Sequence, residues 1–169
     1  MTAKKRNILI AAAVLIVLAA AVLILSLLNR PEASEPGQLT VSRGETEKVY
    51  MMADVKKLPY VEVEKEIVSS SFDNDEGVFR GVPLRALLED AGIGLSDAVQ
   101  VVIRSEDGFV SVCPAEEVMS SDSALLVYAK NGEPLGGLED GGSGPFRVLM
   151  TDDEFGNRSA KYVCSLEVR

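Results

Sequence analysis

Residues 79–92, FRGVPLRALLEDAG, carry the clearest local signal in this chain of 169 residues. Pro83 suits the first turn of a helix, because its missing amide hydrogen is not needed there and its φ is already helical. Leucines at positions 84, 87 and 88 and Ala91 share one helical face, which is the spacing of a buried stripe. Gly92 can supply the left-handed residue that ends a helix. The stretch therefore predicts an amphipathic helix over residues 83–91.

Short strand patterns surround this helix. In residues 60–68, valines alternate with glutamates, which indicates a half-buried strand with an acidic outer face. Residues 69–77 (SSSFDNDEG) are predicted to be a loop. Further strands are predicted at residues 39–41, 48–51, 99–104, 109–113, 124–129, 146–150 and 161–168, and further short helices at residues 52–58 and 114–119. Strands dominate, so the predicted class is α+β, predominantly β, with mixed sheets and a few short helices.

Two later segments add to this pattern, at residues 125–135 (LLVYAKNGEPL) and 155–168 (FGNRSAKYVCSLEV). SEDGF at residues 105–109 lies between the first segment and the second. Each segment alone is an ordinary turn or strand. In this order and at these spacings, the set resembles the molybdopterin-binding domain of the sulfite oxidase family. The resemblance covers residues 39–168 and implies a sheet-rich fold that cradles a pterin-dithiolene cofactor.

The resemblance also implies where a cofactor would be held. In enzymes of that family the molybdenum is coordinated by a cysteine thiolate, which is a soft ligand and suits this metal. Cationic and hydroxyl side chains bind the pterin phosphate. Arg147, Arg158, Ser159 and Lys161 match or flank such positions here, which makes molybdopterin the cofactor implied by the family. The alternative is that Arg158 and Lys161 are ordinary surface cations near a strand end.

The residues that the family's chemistry requires are missing from their expected places. The cysteine should lie upstream of the GVPL sequence, on or just after residues 60–71, but that stretch (YVEVEKEIVSSS) has none. The chain also contains no histidine. This excludes histidine acid–base catalysis, histidine-containing zinc sites and Ser-His-Asp triads. The sequence therefore predicts no catalytic residue and no metal ligand set.

These departures favour a non-catalytic binding or accessory module over an enzyme. One alternative is an active molybdopterin-dependent oxidoreductase in which a serine among residues 69–71 supplies an oxygen ligand. Another is a thiol–disulfide redox protein that uses Cys113 and Cys164. A bond between these two cysteines would close a loop of about 50 residues and is permitted outside the cytoplasm. Two separate buried thiols are the simpler alternative.

The N-terminal part of the chain predicts a membrane anchor. Residues 8–28 contain no charge and a single polar side chain, which suits a helix crossing a hydrocarbon core of about 30 Å. A cluster of three basic residues precedes the run, so residues 1–7 are expected in the cytoplasm. Residues 29–38 then form a polar linker to an extracytoplasmic domain at residues 39–169. The rival is a cleaved signal peptide, which would give a secreted protein.

The charge distribution bears on partners. All 26 acidic residues follow position 31, and the whole chain has a net charge of −9. Such a surface disfavours nucleic acid. The predicted partners are the membrane, through the N-terminal helix, and a protein or a small anionic ligand at the domain. Residues 136–144 (GGLEDGGSG) carry two acids that would repel a phosphate, so a flexible loop is predicted there rather than a phosphate-binding one.

Overall fold

The computed structural model describes residues 14–24, 37–68, 74–120 and 122–169. The chain divides into two compact units, Met1–Glu32 and Ala33–Arg169. In the first unit, residues 14–24 are helical and exposed. Across the described ranges, no helix is both long enough and apolar enough to span a membrane. The remainder of the predicted anchor lies outside the described residues, as do residues 1–7 and most of the linker, so the anchor stays a prediction.

The second unit consists mostly of strands, as the alternating patterns predicted. Its strands are β1 (Gln38–Arg43), β2 (Thr46–Met51), β3 (Val61–Ile67), β4 (Asp75–Pro83), β5 (Gln100–Ser105), β6 (Val110–Pro114), β7 (Ala124–Lys130), β8 (Glu133–Pro134), β9 (Arg147–Met150) and β10 (Val163–Val168). Its helices are α1 (Met52–Val55), α2 (Leu84–Asp90) and α3 (Ala115–Ser120), with a 3-10 helix at Gly156–Arg158. The predicted predominantly β class with a few short helices is confirmed.

The strands form two sheets. The first has the order β2-β1-β10-β5-β6, in which β1 and β10 run parallel while the other neighbours run antiparallel. The second has the order β3-β4-β7-β8, and β9 also pairs with β7. The parallel pair makes the first sheet mixed, so it needs a long connection between β1 and β10.

The main hydrophobic core joins residues of both sheets to the three helices. Helix α2 contributes Leu84, Leu87 and Leu88, each at most 1% exposed, which is the stripe that the sequence spacing predicted. Burial of such a side chain is worth about 1.5–3 kcal/mol. The helix therefore forms because its apolar face has a core to cover, and Gly92 follows it with a φ of 72°.

Strand β4 is absent from the predicted strands, since residues 69–77 are predicted to be a loop and no strand is predicted just before Pro83. The strand lies between β3 and β7 and contains two glycines, which are disfavoured in strands and hide the pattern. One of them has a structural role. A Cβ at Gly81 would lie 2.8 Å from the carbonyl oxygen of Leu126 and 2.9 Å from Cα of Val127. Gly81 therefore permits a close approach of β4 to β7.

Residues 136–144 form a loop, as predicted, with backbone hydrogen bonds of its own. The segment folds back on itself, with the Gly142 amide donating to the Gly137 carbonyl at 3.0 Å. Tyr162 fastens it to the last part of the chain. Its hydroxyl donates to the Gly142 carbonyl at 2.6 Å, and its amide donates to the Ser143 carbonyl at 3.0 Å. The segment is therefore held by hydrogen bonds beside the start of β10.

Candidate functional site

A second, smaller hydrophobic cluster lies on the opposite face of the second sheet. Along β7, Leu125 and Val127 belong to this cluster, while Leu126 between them belongs to the main core. A cleft of about 390 Å³ opens at the edge of the cluster, and Leu135 contributes to both. The cleft is lined by Asp75, Lys130, Asn131, Pro134, Leu135, Gly141, Gly142, Ser143 and Lys161.

Arg147 lies on the same face of the sheet as this cluster. Its neighbour Val148 points into the main core, and the Arg147 side chain is only 3% exposed. Its Nη1 donates to Oδ2 of Asp75, whereas Nε is buried and has no hydrogen-bond partner among the described residues. A buried guanidinium requires a nearby negative charge, and Asp75 supplies it.

Lys130 binds the other oxygen of the same carboxylate. Its Nζ donates to Oδ1 of Asp75, so Asp75 bridges two cations. The Phe79 ring supports both of them, with Lys130 Nζ at 5.6 Å and Arg147 Cζ at 5.7 Å from the ring centroid. Burial raises the pKa of Asp75, but the hydrogen bonds from Lys130 and Arg147 outweigh burial and hold this pKa below its usual value.

Gly77 makes room for the Lys130 side chain beside β4. A Cβ at Gly77 would lie 2.7 Å from Cε of Lys130 and 2.8 Å from Oδ1 of Asn131. Asn131 also receives a hydrogen bond from the Val78 amide, at 2.9 Å. The turn after β7 is therefore attached to β4 close to the Asp75 bridge.

Lys161 lies across from Arg147. Val148 and Ala160 exchange backbone hydrogen bonds of 2.8 and 3.0 Å in an antiparallel bridge, which sets their neighbours Arg147 and Lys161 opposite each other. Lys161 is exposed and lines the cleft, and it makes no ion pair within the part of the chain that the structure describes. Two cations therefore bind the Asp75 carboxylate, and a third, Lys161, lines the same cleft.

Arg158, also predicted as a cofactor contact, belongs to a different cluster. Its Nη1 and Nη2 donate to the two carboxylate oxygens of Glu117 at 2.7 and 3.0 Å, and its Nε donates to Asp153 at 2.8 Å. Hydrogen bonds to these two acids raise the pKa of Arg158. Ser159 is half-buried, and its amide donates to the Gly156 carbonyl at 3.1 Å at the end of the 3-10 helix. Of these four predicted contacts, Lys161 lines the cleft and Arg147 pairs with the lining residue Asp75, while Arg158 and Ser159 do not line the cleft.

The predicted disulfide is not formed, since Cys113 and Cys164 are both free and buried. Cys113 lies on β6 and Cys164 on β10, with β5 between the two strands. Two interstrand spacings separate them by roughly 10 Å, beyond the limit of about 7 Å between the Cα atoms of a disulfide. The prediction is corrected by this topology, which the sequence spacing of the cysteines did not reveal.

Cys113 is poorly placed to act as a thiolate. Cys113 Sγ lies 3.8 Å from Oε2 of Glu117. Burial, followed by this carboxylate, raises the pKa of Cys113 to about 12. Cys164 Sγ lies 3.5 Å from the carbonyl oxygen of Arg104. A thiol that stays protonated at neutral pH is a poor nucleophile and a poor metal ligand.

The described residues do not fit a molybdenum-ligated cofactor. Ligation in this family depends on a thiolate, and the chemistry around Cys113 opposes its ionisation. Two of the predicted cofactor-binding cations, Arg147 and Arg158, are paired with the chain's own carboxylates. The serines at positions 69–71, the alternative oxygen ligands, lie outside the described residues. No group of three or more cysteine, aspartate or glutamate side chains suited to a metal occurs in the described ranges.

Asp75 and Lys130 are not among the predicted site residues, and Asp75 falls within the predicted loop at residues 69–77. One signal was present in the sequence. Asp75, Gly77 and Phe79 alternate along β4, and this places Asp75 and Phe79 on one face of a strand. The two glycines nearby obscured this signal.

Comparison with known proteins agrees with the architecture. Residues 32–169 match the family profile described as "Oxidoreductase molybdopterin binding domain". An uncharacterized oxidoreductase of Bacillus subtilis, YuiH, is 31% identical over 83 residues, which are 48% of this chain and 41% of that protein. The sulfane dehydrogenase SoxCD of Paracoccus pantotrophus shares the fold, with a TM-score of 0.65 and 20% identity over 82% of this chain and 40% of that chain. This chain therefore spans less than half the length of either relative. The family resemblance predicted from the sequence is confirmed, and the chain belongs to the oxidoreductase molybdopterin binding domain family.

Proposed function

We propose that this chain is a non-catalytic member of its family, a binding or accessory module that does not carry out molybdenum chemistry. One observation carries the proposal. The cations at family cofactor positions, Arg147 and Arg158, are engaged by carboxylates of the chain itself. A guanidinium that already holds a carboxylate must give it up before it can hold a phosphate.

The cysteines support the same proposal. Cys113 is buried beside Glu117, and residues 60–71 contain no cysteine at the position that the family pattern requires. A member without a thiolate has no soft ligand for molybdenum. The rival, an oxidoreductase with a serine oxygen as ligand, predicts a coloured, redox-active protein.

Metal analysis of the full chain separates these two functions. The protein is produced in a host that assembles the molybdenum cofactor, alongside a catalytically competent family member as a positive control. Molybdenum is measured by mass spectrometry and the pterin by fluorescence after oxidation. We expect the control to carry the metal and this chain to carry far less than one atom per molecule. Stoichiometric molybdenum in this chain would contradict the proposal.

A gain-of-function variant tests whether the missing thiolate is the reason that the chain binds no molybdenum. Ser69→Cys, with Ser70→Cys in parallel, restores a thiol to the segment in which the family pattern expects one. Molybdenum in either variant and none in the original chain would identify the missing thiolate as the cause. If both variants remain free of metal although the pterin is present, the protonated-thiol argument is insufficient and the paired cations become the stronger reason.

We also propose that the module is held at the outer side of a membrane. The uncharged run at residues 8–28 and the basic residues before it support this location. Added protease should digest the domain in cells stripped of their outer layers but otherwise intact, and the protein should remain in the membrane fraction after carbonate washing. Recovery of a shortened, soluble form would instead support the cleaved signal peptide.

A further inference from the structure

We propose that Asp75 is an internal counter-anion, which excludes from the wild-type cleft a phosphate-class oxyanion that a neutral side chain at position 75 would admit. The inference rests on the proposed function, because it describes a site that has ceased to serve a molybdenum cofactor. It goes further by naming the residue that closes the site and the chemical class of the ligand.

The geometry of the bridge is the first argument. Asp75 uses one oxygen for Arg147 and the other for Lys130, so the carboxylate already satisfies two cations in the manner of a bound oxyanion. Arg147 is almost completely buried and cannot be left without a counter-charge. Its position therefore requires either Asp75 or an anion from outside.

The unused donor is the second argument. Nε of Arg147 is buried and has no hydrogen-bond partner among the described residues. A guanidinium can present Nε and one Nη side by side, and this fork matches two oxygens of a phosphate or a carboxylate. Asp75 takes an Nη only, so the pairing within the chain is less complete than the pairing with a tetrahedral oxyanion.

The surroundings of the cleft are the third argument. Lys130 and Lys161 both line it, together with the polar side chains of Asn131 and Ser143. Its volume of about 390 Å³ exceeds that of a phosphate ion. An ionised Asp75 lines the same cleft as these donors and repels an incoming anion, and like charges in a partly buried site interact strongly. Charge at this one position therefore decides whether an anion enters.

The test uses inorganic phosphate and the full chain, prepared from a host that cannot make the molybdenum cofactor. Phosphate is titrated by calorimetry at constant ionic strength into wild type, Asp75→Asn and Asp75→Glu. We expect Asp75→Asn to bind phosphate about tenfold more tightly than wild type, or more, because a like charge beside the anion is gone. Asp75→Glu keeps the charge and should resemble wild type.

Two further variants test whether the gain in phosphate binding is specific to Asp75 and depends on Arg147. Asp97 pairs with Arg43, which lies far from it in the sequence, and the Asp97 side chain is highly exposed. Asp97→Asn should therefore leave phosphate binding unchanged. The double variant Asp75→Asn, Arg147→Met should lose the gain, because the guanidinium that receives the phosphate is missing.

Three outcomes would overturn the inference. Wild type could bind phosphate as tightly as Asp75→Asn, a folded Asp75→Asn could fail to bind it more tightly, or Asp97→Asn could show the same gain. If Asp75→Asn does not melt cooperatively, melting is repeated in phosphate. Recovery of a cooperative transition supports the inference, and no recovery contradicts it. Since molybdenum content is measured on a different preparation, this test can fail while the proposed function stands.

Discussion

Arg158 and Glu117 form a two-pronged ion pair, with nitrogen–oxygen distances of 2.7 and 3.0 Å, that ties the 3-10 helix to α3. Asp153 accepts from the same guanidinium, and the Cys113 thiol lies 3.8 Å from Glu117. The guanidinium therefore neutralises two acids at once. These contacts favour a structural role for Arg158 at the end of β6.

Arg158→Met should therefore lower the free energy of unfolding. Two carboxylates would face each other beside a buried thiol, and loss of a partner in such a network costs about 1–3 kcal/mol. Urea denaturation followed by circular dichroism measures the change. Arg85→Met is the matched control, because Arg85 pairs with Asp122 on the surface with both side chains about half exposed. An equal loss of unfolding free energy in both variants would show that the Arg158 cluster stabilises the domain no more than the surface pair does.

Gly81→Ala should destabilise the domain although it adds only one methyl group. The new Cβ would meet the backbone of β7 at 2.8 Å, and backbone cannot move aside as a flexible side chain can. Overpacking of this kind typically costs about 1–3 kcal/mol. Gly94→Ala is the control, since nothing lies within 4 Å of a Cβ there. Thermal melting of both variants decides the matter, and an unchanged melting temperature for Gly81→Ala would contradict the close approach of β4 to β7.

Asp75 should make stability depend on pH in the acid range. Its pKa is lowered in the folded state, so its contribution is present above the unfolded pKa of about 3.9 and is lost as the pH falls through the folded pKa. Wild type should therefore exceed Asp75→Asn in stability at about pH 7, and the difference should shrink as the pH falls below about 3.9. Urea denaturation at a series of pH values measures this gap.

Asp97→Asn again serves as the comparison for the pH series. Hydrogen bonding from Arg43 also lowers the pKa of Asp97, but the Asp97 side chain is 80% exposed and solvent screens the pair. Its gap from wild type should be smaller at every pH. A gap for Asp75→Asn that stays constant down to the lowest pH would mean that the lost stability comes from packing and not from charge.

The two cysteines should titrate as free thiols without reductant. In the native protein, a thiol reagent should react slowly, because both side chains are buried and the pKa of Cys113 is raised to about 12. After unfolding without reductant, alkylation and mass spectrometry should find two modified cysteines per chain. Fewer than two would indicate an oxidised form and would revive the redox interpretation. The double variant Cys113→Ser, Cys164→Ser gives the baseline of the assay.

Helix α2 shows what local sequence can determine. The leucine spacing, Pro83 before the helix and Gly92 after it all act within ten residues, and the structure places the helix as predicted. The family resemblance was also readable, because it depended on ordered short segments. Fold class followed from these signals, and the same signals singled out Arg147 and Lys161 as candidates.

The contacts that define the site could not be predicted in the same way. Asp75 and Arg147 are 72 residues apart, and Glu117 and Arg158 are 41 apart. Nothing in the pattern around an arginine states which distant carboxylate will neutralise it. The contacts of Asp75 were harder still to predict, because a loop prediction for residues 69–77 gives Asp75 no sheet face and no neighbouring strand.

The parallel pairing of β1 with β10 has a consequence for the order of folding. Strand β10 lies between β1 and β5, so the β1–β2 and β5–β6 pairs have no shared partner until residues 163–168 are available. During synthesis or export, these pairs would leave apolar faces open for as long as that strand is missing, a situation that exposes a nascent chain to aggregation and to capture by chaperones. A chain cut before residue 163 should therefore be degraded as two unjoined half-sheets instead of accumulating as a smaller domain.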